Sequence, residues 1–443
     1  MKIPVVIVGA GACGLTAALA ARDAGAEVLL LERDASPSGS TALSSGFIPA
    51  AGTRWQRAAG VEDSPARLAA DVQRKNHGEA DARIVEKVCR TIGPTLEWLD
   101  DRHGVRFQLV EGFLYPGHTA LRMHCVAEKT GEALIGALLR ACGEIDLLGS
   151  AHVVDVLHER SHVRGVRFAR PDGTVEEVEC EALVLACSGF GGNRDLVGRY
   201  LPEIADAIYF GHIGNQGDAV RWGTALGAAV GDMTAYQGHG SVATPHGILI
   251  TWALMMEGGI QVNAHGDRFS NEHLGYSEQC LPVLAQPGGV AWCIYDERLH
   301  RLGMTFPDYR EAHAAGAVQP SPALPRLRET LAHVARLAEG KERDPYGRDF
   351  TTKPKLAAPY YGARVTGALF HTQGGLAIDE RARVLDEAGA PLPNVFAGGG
   401  AARGLSGAHV WGYLSGNGLL SAVAIGAIAG GAAAELVAHH GNR

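Results

Sequence analysis

The sequence predicts a Rossmann-like α/β fold built on a largely parallel sheet. Three observations predict it. A β-branched run, Val5-Val6-Ile7-Val8, enters a glycine loop and a helix; a second apolar strand then ends on Glu32; and glycine-rich strand and turn patterning resumes near the C-terminus, beyond a Pro-rich, charged stretch from Gln319 to Asp349. At 443 residues the chain exceeds one ordinary core and suits two domains, or one large domain carrying an insertion.

Each element follows from local chemistry. A continuous β-branched run suits a strand buried on both faces. Gly9-Ala10-Gly11-Ala12-Cys13-Gly14 fits G-x-G-x-x-G and opens an Ala/Leu-rich helix predicted over Leu15 to Ala24; Glu27 to Leu31 is the next strand, and it ends on Glu32. The glycines permit a tight turn and close backbone approach, while the helix N-terminus offers N–H groups and partial positive charge to a pyrophosphate. The loop pattern alone is weak, but strand, loop, helix, strand and acid in this order mark a Rossmann-like dinucleotide site. Gly9, Gly11, Cys13, Gly14, Glu32 and Arg33 are its candidate residues. An acid at Glu32 favours a free ribose, as in FAD or NAD, over a 2'-phosphate and leaves those two open.

Composition narrows the class. Apolar residues make up 46% and charged residues 20%, which is ordinary globular usage and argues against long disordered tracts. A surplus of glycine, 59 residues, fits many tight turns and close backbone approaches. The formal net charge of -8 with no basic block disfavours a nucleic-acid partner. Eight scattered cysteines form no Cys-x-x-Cys pair and no zinc-spaced cluster, so reduced thiols in a cytoplasmic protein are expected, with no metal, iron-sulfur cluster or c-type haem. The first strand starts almost at Met1, which leaves no room for a leader. The apolar run Leu419 to Ala434 is shorter than the ~20 residues a membrane span needs, and its Gly and Ala content suits a buried helix.

The next segment separates FAD from NAD. Ser38-Gly39-Ser40-Thr41-Ala42-Leu43-Ser44-Ser45-Gly46-Phe47-Ile48 resembles the flavoprotein family of fumarate reductase, succinate dehydrogenase and 3-ketosteroid Δ1-dehydrogenase, in which a hydroxyl-rich glycine segment runs along the isoalloxazine. The resemblance implies FAD, with Ser40, Thr41, Ser44, Ser45 and Gly46 as contacts. Covalent members carry histidine where this chain has Ser40, so the implied FAD is non-covalent. The likeness recurs in Ala182 to Asn193, with Ser188 and Gly189; in Gly217-Asp218; in Asn263 and Gly266 to Glu272; and in Thr372 to Leu376, Phe396 to Gly399 and Tyr413 to Leu419. It adds Val154, Asp218, Gly398, Gly418 and Leu419 to the expected cofactor contacts. One departure stands out: the family often has Glu where this chain has Gly399. The implied organisation is a discontinuous Rossmann-like FAD domain, residues 1-236 and 358-443, with an inserted α+β substrate-capping and catalytic domain at 237-357 whose 319-349 stretch is exposed.

The resemblance also separates reactions. Fumarate reductases protonate substrate with an Arg five residues after the Asn of their Arg-Phe-x-Asn-Glu motif, fed by an upstream Glu and Arg. Counting from Asn271 gives Tyr276, and the relay positions hold Trp252 and Met255, which transfer no proton. A tyrosine at this position resembles ketosteroid dehydrogenases, where it removes the proton beside the ketone, and Tyr413 falls near their second catalytic tyrosine. The expected roles are Tyr276 as base, Tyr413 with a backbone N–H near Gly416 as the oxyanion site, and Tyr115 as a proton helper. Trp252, Met255 and Met256 are expected to line an apolar pocket, with His239, His371 and Arg122 as further substrate contacts and Arg403 as another partner for a substrate carboxylate. The implied reaction is α,β-dehydrogenation of a cyclic ketone, such as a cyclohexanone, an oxocyclohexane carboxylate or a 3-oxosteroid. The electron acceptor is left open. A tricarballylate dehydrogenase-like or fumarate reductase-like oxidoreductase of a polycarboxylate is the alternative, and a flavin-carrying RNA-modification or redox-relay protein is disfavoured by the charge and the missing cluster ligands.

Overall fold

The computed structural model describes residues 2–320 and 322–441. Its main sheet runs in the order Arg383–Leu385, Pro391–Ala397, Val175–Leu185, Lys2–Val8, Val28–Leu31, Asp146–Leu148. Lys2–Val8 pairs in parallel with Val28–Leu31 on one side and Val175–Leu185 on the other. Val5, Val6 and Ile7 are fully buried, which is why the run alternates in no way: both faces are covered. A hairpin of His152–Glu159 and His162–Ala169 extends the sheet through Val175–Leu185.

Two helices close one side of this sheet. Ala12–Asp23 follows the glycine loop, and the last helix, Asn417–Gly441, lies along it. The last helix is longer than the apolar run suggested; by length and composition alone its Asn417–His439 portion could cross a membrane, yet 61% of its most apolar window is buried within the protein. Glycine sets the depth of this packing. A Cβ at Gly426 or Gly430 would run into the backbone carbonyls of Cys13 and Ala17, respectively. The helices therefore touch backbone to backbone.

A second, seven-stranded sheet is organised by the long strand Tyr360–Thr372, which pairs with Tyr236–Ala243, Val290–Asp296 and Val318–Pro320. Ile208–Tyr209, which precedes the expected insertion in sequence, also pairs with it, in parallel. Behind this sheet lies a buried ion cluster. Glu272 accepts from Arg268 at 2.8 Å and from Arg348 at 2.9 Å, and Arg268 also meets Asp344. Burial pushes the Glu272 carboxyl up, but the two guanidinium charges outweigh it and hold the pKa at about 2. The 319-349 stretch is mostly exposed, as expected, but not throughout. It carries the helix Leu327–Ala338 with Leu327, Val334 and Leu337 buried, and the side chains of Asp344 and Arg348 are buried by their charge partners.

The backbone contact between the two helices gives a direct test. Gly430→Val forces them apart and should lower unfolding free energy by about 2–3 kcal/mol, the cost of overpacking a tight core, read as a shifted urea midpoint. An unchanged midpoint would show that the contact carries no stability.

Candidate active site

A cavity of about 300 Å³ runs from the glycine loop to the underside of the second sheet. At its nucleotide end the wall includes Gly9, Gly11, Cys13, Glu32 and Arg33. Glu32 is pre-set: one carboxylate oxygen accepts the Ala10 N–H at 2.8 Å and the other the Asp34 N–H at 3.0 Å. Its position is therefore fixed by backbone before any ribose arrives. Arg33 donates to the Gly214 carbonyl at 2.9 Å, and Asp218 and Trp222 face the same end.

The hydroxyl-rich segment forms the next wall, with Ser40, Thr41, Ser44, Ser45 and Gly46 all on the cavity. Thr41 accepts the Ala12 N–H at 3.1 Å and so ties this segment to the start of the first helix. Ser40 accepts from the Asn215 amide at 2.8 Å. Ser188, Gly418 and Leu419 complete the cofactor-side candidates that line the space. The residues present fit an elongated dinucleotide such as FAD: an acid is held at the ribose end, and the buried indole N–H of Trp222 lacks a hydrogen-bond partner among the described residues.

Three predicted glycines stand behind the wall instead of on it, for steric reasons. A Cβ at Gly14 would overlap the Gly9 carbonyl oxygen, one at Gly189 the Thr372 hydroxyl, and one at Gly398 would lie 2.7 Å from the Cys13 sulfur. They allow close packing and do not face the cavity. Val154 is also off the wall, because strand alternation sends its neighbour Val153 inward.

At the far end the structure brings together Tyr276, Tyr413, Tyr115, Trp252, His239, His371 and Gly416. The Tyr276 and Tyr413 rings lie 6.2 Å apart. Burial raises the Tyr276 phenol, while the Ser415 hydroxyl, the Gly416 N–H and the Tyr413 hydroxyl pull it back, leaving it at about 12. Burial, with the neighbouring Tyr276, pushes Tyr413 well above the ordinary phenol value. Its hydroxyl accepts the Gly418 N–H at 3.3 Å and is hydrogen-bonded to the Tyr276 hydroxyl. Burial also raises Tyr115. His239 stacks on Tyr276 at 4.5 Å and on Phe370 at 5.0 Å. Burial lowers His239 to about 3 and His371 to about 4, so both rings are neutral at physiological pH. His371 meets the Gln373 amide at 3.0 Å.

Four expectations fail here. Arg122 is fully buried between Asp63, at 2.8 Å, and Asp71, and has no face on the cavity. Arg403 is held by Asp232 at 2.6 Å and also stands off it. Met255 is buried over Gly259, and neither it nor Met256 reaches the cavity. Sequence reading in turn missed Phe47, Gln237, Thr251, Phe306, Asp308 and Phe370. Gln237 had a signal, since it lies two residues before His239 on one strand; Asp308 had none, being brought in by a cap helix far away in sequence.

Comparison with known proteins gives the family. The FAD binding domain model matches residues 4–419. The chain is 27% identical to a fumarate reductase (cytochrome) of Shewanella frigidimarina, over 98% of this chain and 77% of that protein. It is 26% identical to the 4-oxocyclohexanecarboxylate 2-dehydrogenase of Sinomonas cyclohexanicum, over 90% and 87%. The fold matches that of 3-ketosteroid-Δ4-(5α)-dehydrogenase from Rhodococcus jostii with a TM-score of 0.78 at 24% identity, covering 98% of this chain and 97% of that one. With nearly its whole length matched by the family model and a cavity that fits the cofactor, the chain belongs to the FAD binding domain family and is an FAD-dependent oxidoreductase.

Proposed function

We propose that the protein removes hydrogen across the α,β bond of a cyclic ketone, of the size of a cyclohexanone, an oxocyclohexane carboxylate or a 3-oxosteroid, with residues 237-357 covering the substrate. The observation that carries this reading is the pairing of two buried tyrosines, Tyr276 and Tyr413, each polarised by backbone N–H groups of one turn. Similarity to the oxocyclohexane carboxylate dehydrogenase supports it.

Desaturation of a ketone needs an α-proton removed and a β-hydride taken away. FAD, when bound, supplies the hydride acceptor. Tyr276 takes the proton: the Ser415 hydroxyl and Gly416 N–H that pull its pKa down are the contacts a phenolate needs. Tyr413, whose oxygen accepts from Gly418, directs its own proton to the carbonyl and stabilises enolate charge as the C–H bond weakens. The aromatic wall of Trp252, Phe370 and Tyr115 holds the ring and excludes water. Conjugate reduction of a fumarate-like acid requires instead a proton donor that is resupplied at neutral pH, and Tyr276 stands at the donor position while Trp252 and Met255, which transfer no proton, stand at the relay positions.

Three measurements test this. Tyr276→Phe should lower kcat for ketone oxidation by about 10²–10⁴-fold, the usual worth of a general base, while the oxidised-flavin spectrum is retained. Undiminished dye reduction by ketones, or bleaching only by tricarboxylates, would overturn the reading. Because Tyr276 works as its base form and its pKa lies near 12, kcat/KM should climb about tenfold per pH unit from pH 7 to 9; a flat or falling profile contradicts the assignment. With Ser40 in place of histidine, the flavin should appear wholly in the supernatant after acid precipitation, and yellow pellet would show a covalent bond.

A further inference from the structure

The substrate end of the cavity contains a carboxyl group, Asp308, and no cationic side chain among the described residues. Its cations are confined to the cofactor side: Arg33 is bound to the Gly214 carbonyl, and Lys129 belongs to the turn whose Gly131 N–H donates to the Ser44 carbonyl at 2.7 Å. Arg122 and Arg403 are consumed by buried carboxylates. His239 and His371 are neutral. Asp308, by contrast, lines the cavity beside Phe306 and Tyr115 and has no hydrogen bond or ion pair among the described residues. It is half-buried, and burial with nearby Glu311 raises its carboxyl. A partly desolvated carboxylate without a partner is an unfilled acceptor. It also repels anions across the aromatic cavity, where screening is weak.

We propose that Asp308 is a specificity-determining residue that accepts a hydrogen bond from a donor group, a hydroxyl or an ammonium, on the part of the substrate remote from the reacting ketone, and that it excludes carboxylates. This inference rests on the ketone reading and narrows it: the oxocyclohexane carboxylates are disfavoured, and hydroxylated or aminated ring ketones are favoured. Tyr413 takes the carbonyl, and Asp308, beside Tyr115 and Phe306, reads the donor group.

Binding and turnover are measured separately. In the FAD-loaded enzyme, phenols mimic the enol and cannot be desaturated, so their equilibrium binding reads the pocket alone through perturbation of the flavin spectrum. The probes are phenol, 4-(hydroxymethyl)phenol, 4-(aminomethyl)phenol and 4-hydroxybenzoate. A donor-bearing probe should bind about tenfold tighter than phenol and 4-hydroxybenzoate at least about tenfold weaker, the usual worth of one charge-assisted contact or one like-charge clash. Tighter binding by the aminomethyl than by the hydroxymethyl probe, lost with added salt, identifies ammonium as the donor; the opposite order identifies hydroxyl. Asp308→Asn should bring 4-hydroxybenzoate and phenol close together, and Asp308→Lys should make the carboxylate the preferred probe. Equal binding of carboxylate and donor probes in the unaltered enzyme, an unchanged order in Asp308→Asn, or no spectral response to any probe overturns the proposal. Oxidation of the matching saturated ketones, cyclohexanone and its 4-hydroxymethyl, 4-aminomethyl and 4-carboxylate derivatives, reports on the desaturase reading: selective phenol binding without turnover of any of these ketones sinks that reading and leaves Asp308 as an acceptor of donor groups.

Discussion

The backbone contact between the helix after the glycine loop and the last helix is the constraint on which the rest depends. Residues 12–23 and 417–441 are separated by nearly the whole chain, yet Gly426 and Gly430 bring them to touching distance over Cys13 and Ala17. Such contact needs residues without side chains on the facing stripe. Its consequence lies at the helix start. The turn from Tyr413 to Gly418 that opens the last helix is delivered beside the hydroxyl-rich segment, so one turn borders both the cofactor cleft and the substrate end.

Each of the two central tyrosines is then braced by a buried ionic network behind it. Behind Tyr413, Arg122 joins Asp63 and Asp71 and reaches His118 at 3.4 Å, and His118 meets the Ser415 carbonyl at 2.8 Å. Behind Tyr276, the Arg268, Glu272, Arg348 and Asp344 cluster anchors the segment leading to it, and Trp252 donates its indole N–H to the Glu272 carbonyl at 3.2 Å. Such groups add little net stability once desolvation is counted, but removing one partner strands a buried charge. Their effect is to give each segment one permitted position. Arg122, expected at the substrate, thus acts through His118 on the turn that holds it.

The cofactor half of the fold was legible because its chemistry is local. Strand, glycine loop, helix and acid follow one another within 32 residues, and each is dictated by backbone geometry at that point. Tyr276 and Tyr413 could be placed because they sit at fixed offsets from motifs. Arg122 was misread because its partners, Asp63 and Asp71, precede it by 59 and 51 residues, and no periodicity reveals which charges will pair. Val154 failed by one residue, the shift that turns a strand side chain to the opposite face. Met255 failed because the short helix Ala253–Met256 turns it against Gly259. Gly14, Gly189 and Gly398 were expected to contact the cofactor, but what approaches them is the protein itself.

The lack of cationic side chains among the described residues at the substrate end has a physical logic. A buried arginine and glutamate relay must be stabilised at all times by counter-charges, and here such counter-charges are drawn into the two bracing networks. Tyrosine, glutamine and neutral histidine are cheaper to bury because they carry no resting charge. The N–H groups of Gly416 and Gly418 are already aimed at the phenol oxygens of Tyr276 and Tyr413, so negative charge developing on either oxygen meets a dipole in place. Fixed dipoles of this kind need no reorganisation when the charge appears, which is where electrostatic stabilisation in a dry site is strongest. A cavity arranged in this way favours a reaction whose charge is transient and confined to one oxygen.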